Sequence, residues 1–232
     1  MNEQDTEWMW NETRQVGTDY DVLAEVSAYD QRMARIRDVE SENAGILRLL
    51  NLPPAADVLE IGCGTGRFIR AAAKAGLRTT AIDVSRIMLD YVQDMALREG
   101  LTDLHTHRCG FLTIPFPPDS FDAVVSELAL HHLPDTWKLV ALRNVARALK
   151  PGGQFLLRDV VFSVPDGEEP EQCLKHVLDA YPAMRAEVAR HVATEFSTYS
   201  WIMEGLLRRA GFEILSATPA GESILVYHCR KR

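Results

Sequence analysis

Three glycines at alternate positions, Gly62, Gly64 and Gly66, stand between the apolar run Asp57-Val58-Leu59-Glu60-Ile61 and a helix-forming stretch from Arg67 to Ala73. At such a turn the main chain can approach a ligand without side-chain obstruction. The spacing is GxGxG, not the GxGxxG of a dinucleotide turn, and Arg67 comes one step too early for a phosphate-loop lysine. A phosphate ligand is therefore disfavoured. An amino-acid nucleoside without phosphate fits better, its carboxylate and ammonium met by backbone groups around Cys63 and by Glu60. A tight turn with no ligand would carry the same glycines. Asp83 closes the next apolar run, where a carboxylate can accept both hydroxyls of a ribose lying across the strand ends. Taken alone, it is equally a charge favoured at a helix start.

Other groups of chemical interest lie further on. His131 and His132 follow an apolar run, at the sheet end where a ligand must lie, and either imidazole can take a proton near neutrality. The alternative is a histidine that satisfies backbone groups as a helix begins. Arg158 and Asp159 interrupt a later apolar run, a costly place for charge unless it is paired or faces a polar cleft. Adjacent strand residues point to opposite faces, so both cannot line one cleft; Arg158 is the candidate for substrate. His191, Tyr199 and Trp201 are further candidate substrate contacts. Tyr20, Tyr29 and Arg37 either close over a ligand or pack as an aromatic helix face.

These residues need a scaffold, and the chain alternates short apolar runs with longer amphipathic ones, the pattern of βαβ units. A helical arm precedes Pro53-Pro54. Strands are predicted at 57–61, 78–82, 104–108, 121–126 and 154–161. The predicted helices between them include one with Ser85 as N-cap and Met88, Val92 and Met95 on its buried face, and one over 135–149 with Leu139, Leu142, Ala146 and Leu149 on a stripe. Lys150-Pro151-Gly152-Gly153 turns the chain. Residues 163–198 break the pattern and read as a helical cap. Ser197 or Thr198 is then expected to cap a helix closed by Gly211, ahead of a terminal hairpin about Pro219-Ala220-Gly221. One domain is expected over 1–232: arm 1–52, core 53–162, cap 163–198, and last helix with hairpin 199–232.

Four segments in order, VLEIGCGTGRF, AIDVS, FDAVVSELALHHLPD and LKPGGQFLLRDV, resemble the motifs of class I S-adenosylmethionine-dependent methyltransferases. They cover about Val58 to Val160, and the Gly211-Phe212 helix end with the final hairpin is similar to that family's last units. The resemblance implies a doubly wound α/β fold with a seven-stranded, mostly parallel sheet of order 3-2-1-4-5-7-6, only the last-inserted strand being antiparallel. It implies S-adenosyl-L-methionine as cofactor. Glu60, Gly62, Gly64 and Gly66 would line its methionine and ribose side, Asp83 would bind the ribose, and Val84 and Met88 would flank the adenine. Ser126 would lie under the methionine moiety, and a Tyr-Asp pair such as Tyr29-Asp30 would close over it. One departure stands out. Where the family carries an acid that binds the adenine amino group, this chain has Gly110, followed by Phe111. Adenine recognition then rests on backbone groups and stacking, or on an acid from elsewhere.

Methyl transfer from an activated sulfonium needs alignment and exclusion of water, with no obligatory acid or base. The expected acceptor is a small molecule methylated on O, N or C; transfer of another part of the cofactor, its cyclisation, or binding without turnover are the alternatives. Lys plus Arg number 25 against 33 for Asp plus Glu, a net charge of −8 that disfavours nucleic acid. No apolar run suggests a membrane span or a signal peptide. The four cysteines form no CxxC pair and no metal site is expected, so a reducing cytoplasm is the expected setting. Self-association as a homodimer stays open.

Overall fold

The computed structural model describes residues 7–14, 26 and 38–232. Tyr20, Tyr29 and Arg37 lie outside the described residues.

Helix α1 (Val39–Leu50) precedes the sheet. It starts where the Asp38 carboxylate accepts the Ser41 N–H at 3.1 Å, and it ends on Asn51, whose φ of 43° is left-handed. Then follow β1 (Asp57–Ile61), α2 (Arg67–Lys74), β2 (Arg78–Asp83), α3 (Arg86–Arg98), β3 (Leu104–Arg108), β4 (Phe121–Glu127), a 3-10 turn (Leu130–His132), α4 (Asp135–Ala148) and β5 (Leu149–Phe162). Helices α5 (Pro170–Ala180) and α6 (Arg185–Thr194) form the region expected as a cap. Strand β6 (Thr198–Tyr199), α7 (Ser200–Ala210), β7 (Phe212–Pro219) and β8 (Ile224–Lys231) complete the chain.

The sheet order is β3-β2-β1-β4-β5-β8-β7, with β6 paired on the end of β5. Strands β1 to β5 pair in parallel, while β8 runs antiparallel to both β5 and β7. The expected order holds once the added strand is numbered. That strand has two residues, Thr198 and Tyr199, beside Val161 and Phe162, too short for any alternation to show in sequence. Residues on the strands divide by the two-residue period. Leu59, Ile61, Val124, Phe155 and Leu157 pack with α4 and α7. Val58, Ala81, Ala123, Val125 and Leu156 pack with α1, α2 and α3. Both faces are thereby covered, as parallel strands require.

Several local expectations change. Strand β5 begins at Leu149, its pairing with β4 shifting register between Phe121 and Ala123. Met95 is only half-buried, the α3 face being Met88, Leu89, Val92 and Ala96. Neither Ser197 nor Thr198 caps α7: the N-cap is Tyr199 without a side-chain bond, because the Thr198 hydroxyl donates instead to Asp135 Oδ2 at 2.9 Å. Asp135 also pairs at 2.8 Å with Lys138, a fully buried lysine that donates to the Phe196 carbonyl. A buried ammonium needs such partners, and here they fasten the end of the cap region to α4.

Candidate active site

The C-terminal ends of β1, β2 and β4 and the loop after β3 surround an open cleft, the place where open α/β sheets bind ligands. The three glycines meet three different demands there. All have left-handed φ, at 69°, 52° and 70°. A Cβ on Gly62 would lie 2.4 Å from Ala129 Cβ, so this turn touches the loop after β4. A Cβ on Gly66 would lie 2.7 Å from Val92 Cγ2, so α2 packs tightly on α3. A Cβ on Gly64 would meet nothing within 4 Å and would project into the open cleft.

Asp83, at the tip of β2, is fixed at the cleft's lip by backbone amides. Its Oδ2 accepts the Gly64 N–H and its Oδ1 the Ser85 N–H, each at 2.9 Å. Ser85 in turn caps α3 by accepting the Met88 N–H at 3.3 Å, which sets Val84 and Met88 on the cleft wall.

Across from Asp83, the segment 7–14 delivers Glu12 to the loop after β3. Glu12 Oε2 accepts the Leu112 N–H at 2.9 Å and Oε1 accepts the Thr113 hydroxyl at 2.7 Å. A Cβ on Gly110 would lie 2.4 Å from that Oε2. The carboxylate of Glu12 thus occupies the space a side chain at position 110 would take. Burial raises its carboxyl above the ordinary range, opposed by its bonds from Leu112 and Thr113. Two aromatic contacts hold the segment: Trp8 stacks on Trp137 at 5.5 Å, and Trp10 meets Phe196 edge-on at 5.4 Å.

On the third side, Leu128 bends the chain after β4 with a strained φ of 55°, its N–H donating to the Arg158 carbonyl at 2.7 Å. The two histidines that follow diverge. His132 lines the cleft. His131 is buried, its Nδ1 2.5 Å from Asp159 Oδ1 and its Nε2 3.1 Å from Glu195 Oε2. Burial works to lower its pKa, but Asp159 and Glu195 push it up to about 9. Burial, with the charge on His131, pushes His132 down to about 4. Glu195 also lies 2.9 Å from His191 Nδ1 and 3.8 Å from His132 Nδ1. Burial opposes its ionisation, yet the histidines hold it well below the usual carboxylate range, and Asp159 is lowered likewise by His131.

The cleft wall carries the carboxylates of Glu12, Asp83 and Glu127 against one guanidinium, Arg14. That charge balance suits a cation and opposes a pyrophosphate. S-adenosylmethionine, a sulfonium with no phosphate, fits it, and open Gly64 gives the main-chain approach such a ligand needs.

A methyltransferase-domain family model matches residues 58–153. The demethylmenaquinone methyltransferase of Bacillus licheniformis is 29% identical over 189 residues, 78% of this chain and 77% of the relative. The 27-O-demethylrifamycin SV methyltransferase of Amycolatopsis mediterranei is 34% identical over 113 residues, 48% of this chain and 41% of the relative. The solved structure of a SAM-dependent methyltransferase from Aquifex aeolicus superposes with a TM-score of 0.66 at 19% identity, over 91% of this chain and 99% of that one. Over residues 58–153 the chain carries a methyltransferase domain. Both of those relatives are named for small-molecule acceptors, demethylmenaquinone and 27-O-demethylrifamycin SV.

In the structure the residues singled out in the sequence part company. Gly62, Gly64, Asp83, Val84, Met88, Phe111 and His132 line the cleft. Glu60 does not: its buried carboxylate accepts the Ile69 N–H of α2 at 3.0 Å, and burial raises it well above the usual range. Ser126 is fully buried, donating to the Ile61 carbonyl at 3.0 Å and so tying β4 to β1. Cys63 is buried in the core beneath the turn, and Gly66 is spent on helix packing. Arg158 turns to α1, with Nη2 2.9 Å from Glu42 Oε1, while Asp159 turns the opposite way to His131. His191 joins Glu195 and lies 2.6 Å from the Ser197 hydroxyl through Nε2. Tyr199 stacks on Trp201 and meets Phe162 edge-on. Glu12 and Glu195 escaped the sequence reading. The glycine at 110 signals that an acid must come from elsewhere, but no local pattern says which of 33 carboxylates it is.

Among the described residues no helix is long and apolar enough to cross a membrane.

Proposed function

We propose that the methyl donor lies across the glycine turn with its ribose on Asp83, its adenine between Val84, Met88 and Phe111 with Glu12 accepting from the amino group, and its methyl directed to an acceptor entering beside His132. The observation that carries this reading is Asp83: its carboxylate is pinned to the amide of Gly64, the one of the three turn glycines whose added Cβ would point into open space. A ligand that touches both must run along the strand ends. When bound, S-adenosylmethionine supplies a methyl carbon on cationic sulfur, whose C–S bond breaks with the pair going to sulfur as the acceptor's lone pair bonds to carbon. The chain's own contribution is alignment, an effect worth up to about 7 to 11 kcal/mol. The acceptor's nucleophile is O, N or C, and His132 is the polar side chain that meets it. His131, buried beneath and turned to Asp159, is a positioning residue in this reading.

The setting proposed is a reducing cytoplasm without a nucleic-acid or membrane partner. The net charge of −8 and four free cysteines support it.

Calorimetry supplies the test. S-adenosylhomocysteine should bind and NAD should not. Asp83→Ala should weaken S-adenosylhomocysteine at least about tenfold, which is about 1.4 kcal/mol; unchanged affinity contradicts the ribose contact. A metabolite screen scored by release of S-adenosylhomocysteine then identifies the acceptor, whereas methylthioadenosine as product would mean another part of the cofactor is transferred.

A further inference from the structure

Glu195, between α6 and β6, stands where three imidazoles converge. Its Oε2 is 3.1 Å from His131 Nε2, 2.9 Å from His191 Nδ1 and 3.8 Å from His132 Nδ1. A ligand atom from each of His131, His132 and Glu195 falls within 4.8 Å of the others. Around one ion with bonds of about 2.0 to 2.1 Å, tetrahedral ligand atoms stand about 3.3 Å apart, a spacing that the Glu195–His131 and Glu195–His132 distances bracket. The imidazoles are also held from behind. His131 is oriented through its other nitrogen by Asp159, at 2.5 Å, and by a 3.0 Å bond from its own N–H to the same carboxylate; His191 is held through its other nitrogen by Ser197. Bonds of this kind fix the tautomer and direction of metal-ligating histidines.

Charge points the same way. Asp159 is fully buried and Glu195 has a side chain only 9% exposed, and among the described residues their ion pairs are all to histidines. Two carboxylates out of water need positive charge close by; a divalent cation on the Nε2 side of His131 would supply it directly to Glu195 and, through the imidazole between them, to Asp159. The cluster is open on one side, because His132 reaches the cleft that holds Gly64 and Asp83.

We propose that His131, His132 and Glu195 form a binding site for a divalent transition ion of the zinc class, with His191 as an adjoining donor and Asp159 orienting His131. Two imidazoles and one carboxylate are the ligand types such ions take, with coordination positions left open in catalytic sites. An open position facing the cleft would take an oxygen donor of the acceptor and hold it beside the methyl donor. This role rests on the methyl-transfer reading; ion binding itself does not.

The test uses the full chain stripped with a chelator, then titrated with Zn²⁺ by calorimetry and with Co²⁺ by visible spectroscopy, alongside S-adenosylhomocysteine titrations. The wild-type protein should bind one equivalent of ion with a spectrum free of thiolate charge transfer. Glu195→Gln and His132→Ala should each weaken it at least about tenfold, and Asp159→Asn about 10- to 100-fold. S-adenosylhomocysteine affinity should stay unchanged in Glu195→Gln. His132 is the partly exposed member, so His132→Ala serves if Glu195→Gln melts before the metal-free wild type. Ion binding no tighter in the wild type than in either variant, or a thiolate spectrum, overturns the site. Failure of the wild type to bind S-adenosylhomocysteine would instead overturn the methyl-donor reading and leave the ion result standing.

Discussion

Glu12 and Gly110 are a matched pair: one removes a side chain and the other brings a carboxylate into the space it leaves. An acid at 110 would sit two residues past the end of β3, whereas Glu12 arrives from about a hundred residues away and must be held by Leu112 and Thr113. The pairing makes a reciprocal test. Gly110→Ala puts a methyl group 2.4 Å from Glu12 Oε2 and should expel the carboxylate. Glu12→Ala should lower S-adenosylhomocysteine affinity at least about tenfold, since a hydrogen bond to a charged group contributes about 1.5 to 3 kcal/mol. Joining Glu12→Ala to Gly110→Asp should restore much of that loss, as calorimetry will read. If the double variant binds more weakly than Glu12→Ala alone, the carboxylate is an anchor for the arm and no part of adenine recognition.

At the scale of elements, the segment 7–14 has no regular structure of its own and depends on tryptophans laid against α4 and Phe196. Trp10→Ala removes the edge-on contact with Phe196 without touching the cleft wall. It should weaken S-adenosylhomocysteine about as much as Glu12→Ala, because both act by removing the same carboxylate; combined, the two losses should fall short of additive. Lys138 and Asp135 play a related part on the other side. Through the Phe196 carbonyl and the Thr198 hydroxyl they fix the stretch that carries Glu195, so the histidine cluster owes its geometry to α4 as much as to β4.

Across the whole molecule, the end of the sheet away from the cleft is joined by a charge network from four strands. Asp57 of β1 binds Arg78 of β2 at 2.7 Å and Lys150 of β5 at 3.1 Å, and Lys150 binds Asp122 of β4 at 2.8 Å. The Arg78 bond, opposed by partial burial, holds the Asp57 carboxyl below its ordinary 3.8. Glu99 is lowered too, with burial opposing and Lys74 and Arg70 prevailing. A carboxyl depressed on folding contributes stability that is present above its unfolded pKa and lost as pH falls through the folded one. Stability should therefore fall on acidification below about pH 4, and Asp57→Asn should flatten that slope, as urea midpoints from pH 5 to pH 2.5 will show. Because these groups lie far from the cleft, the same variant should bind S-adenosylhomocysteine like the wild type.

What the amino-acid order determined by itself is local or periodic. The two-residue alternation of the strands, the left-handed turn that only glycine enters cheaply, and a carboxylate at a strand tip are each written within a few neighbours, and the sheet order followed from them through the family resemblance. Tertiary structure decided which of two adjacent histidines lines the cleft, since a 3-10 turn directs neighbouring side chains apart. It decided that Glu60 and Ser126, placed on the ligand side by motif, serve the core instead. And it decided that an acid at position 12 reaches the cleft wall and one at position 195 the histidine cluster, because contacts between residues scores of positions apart depend on how helices dock and leave no periodic trace in the sequence.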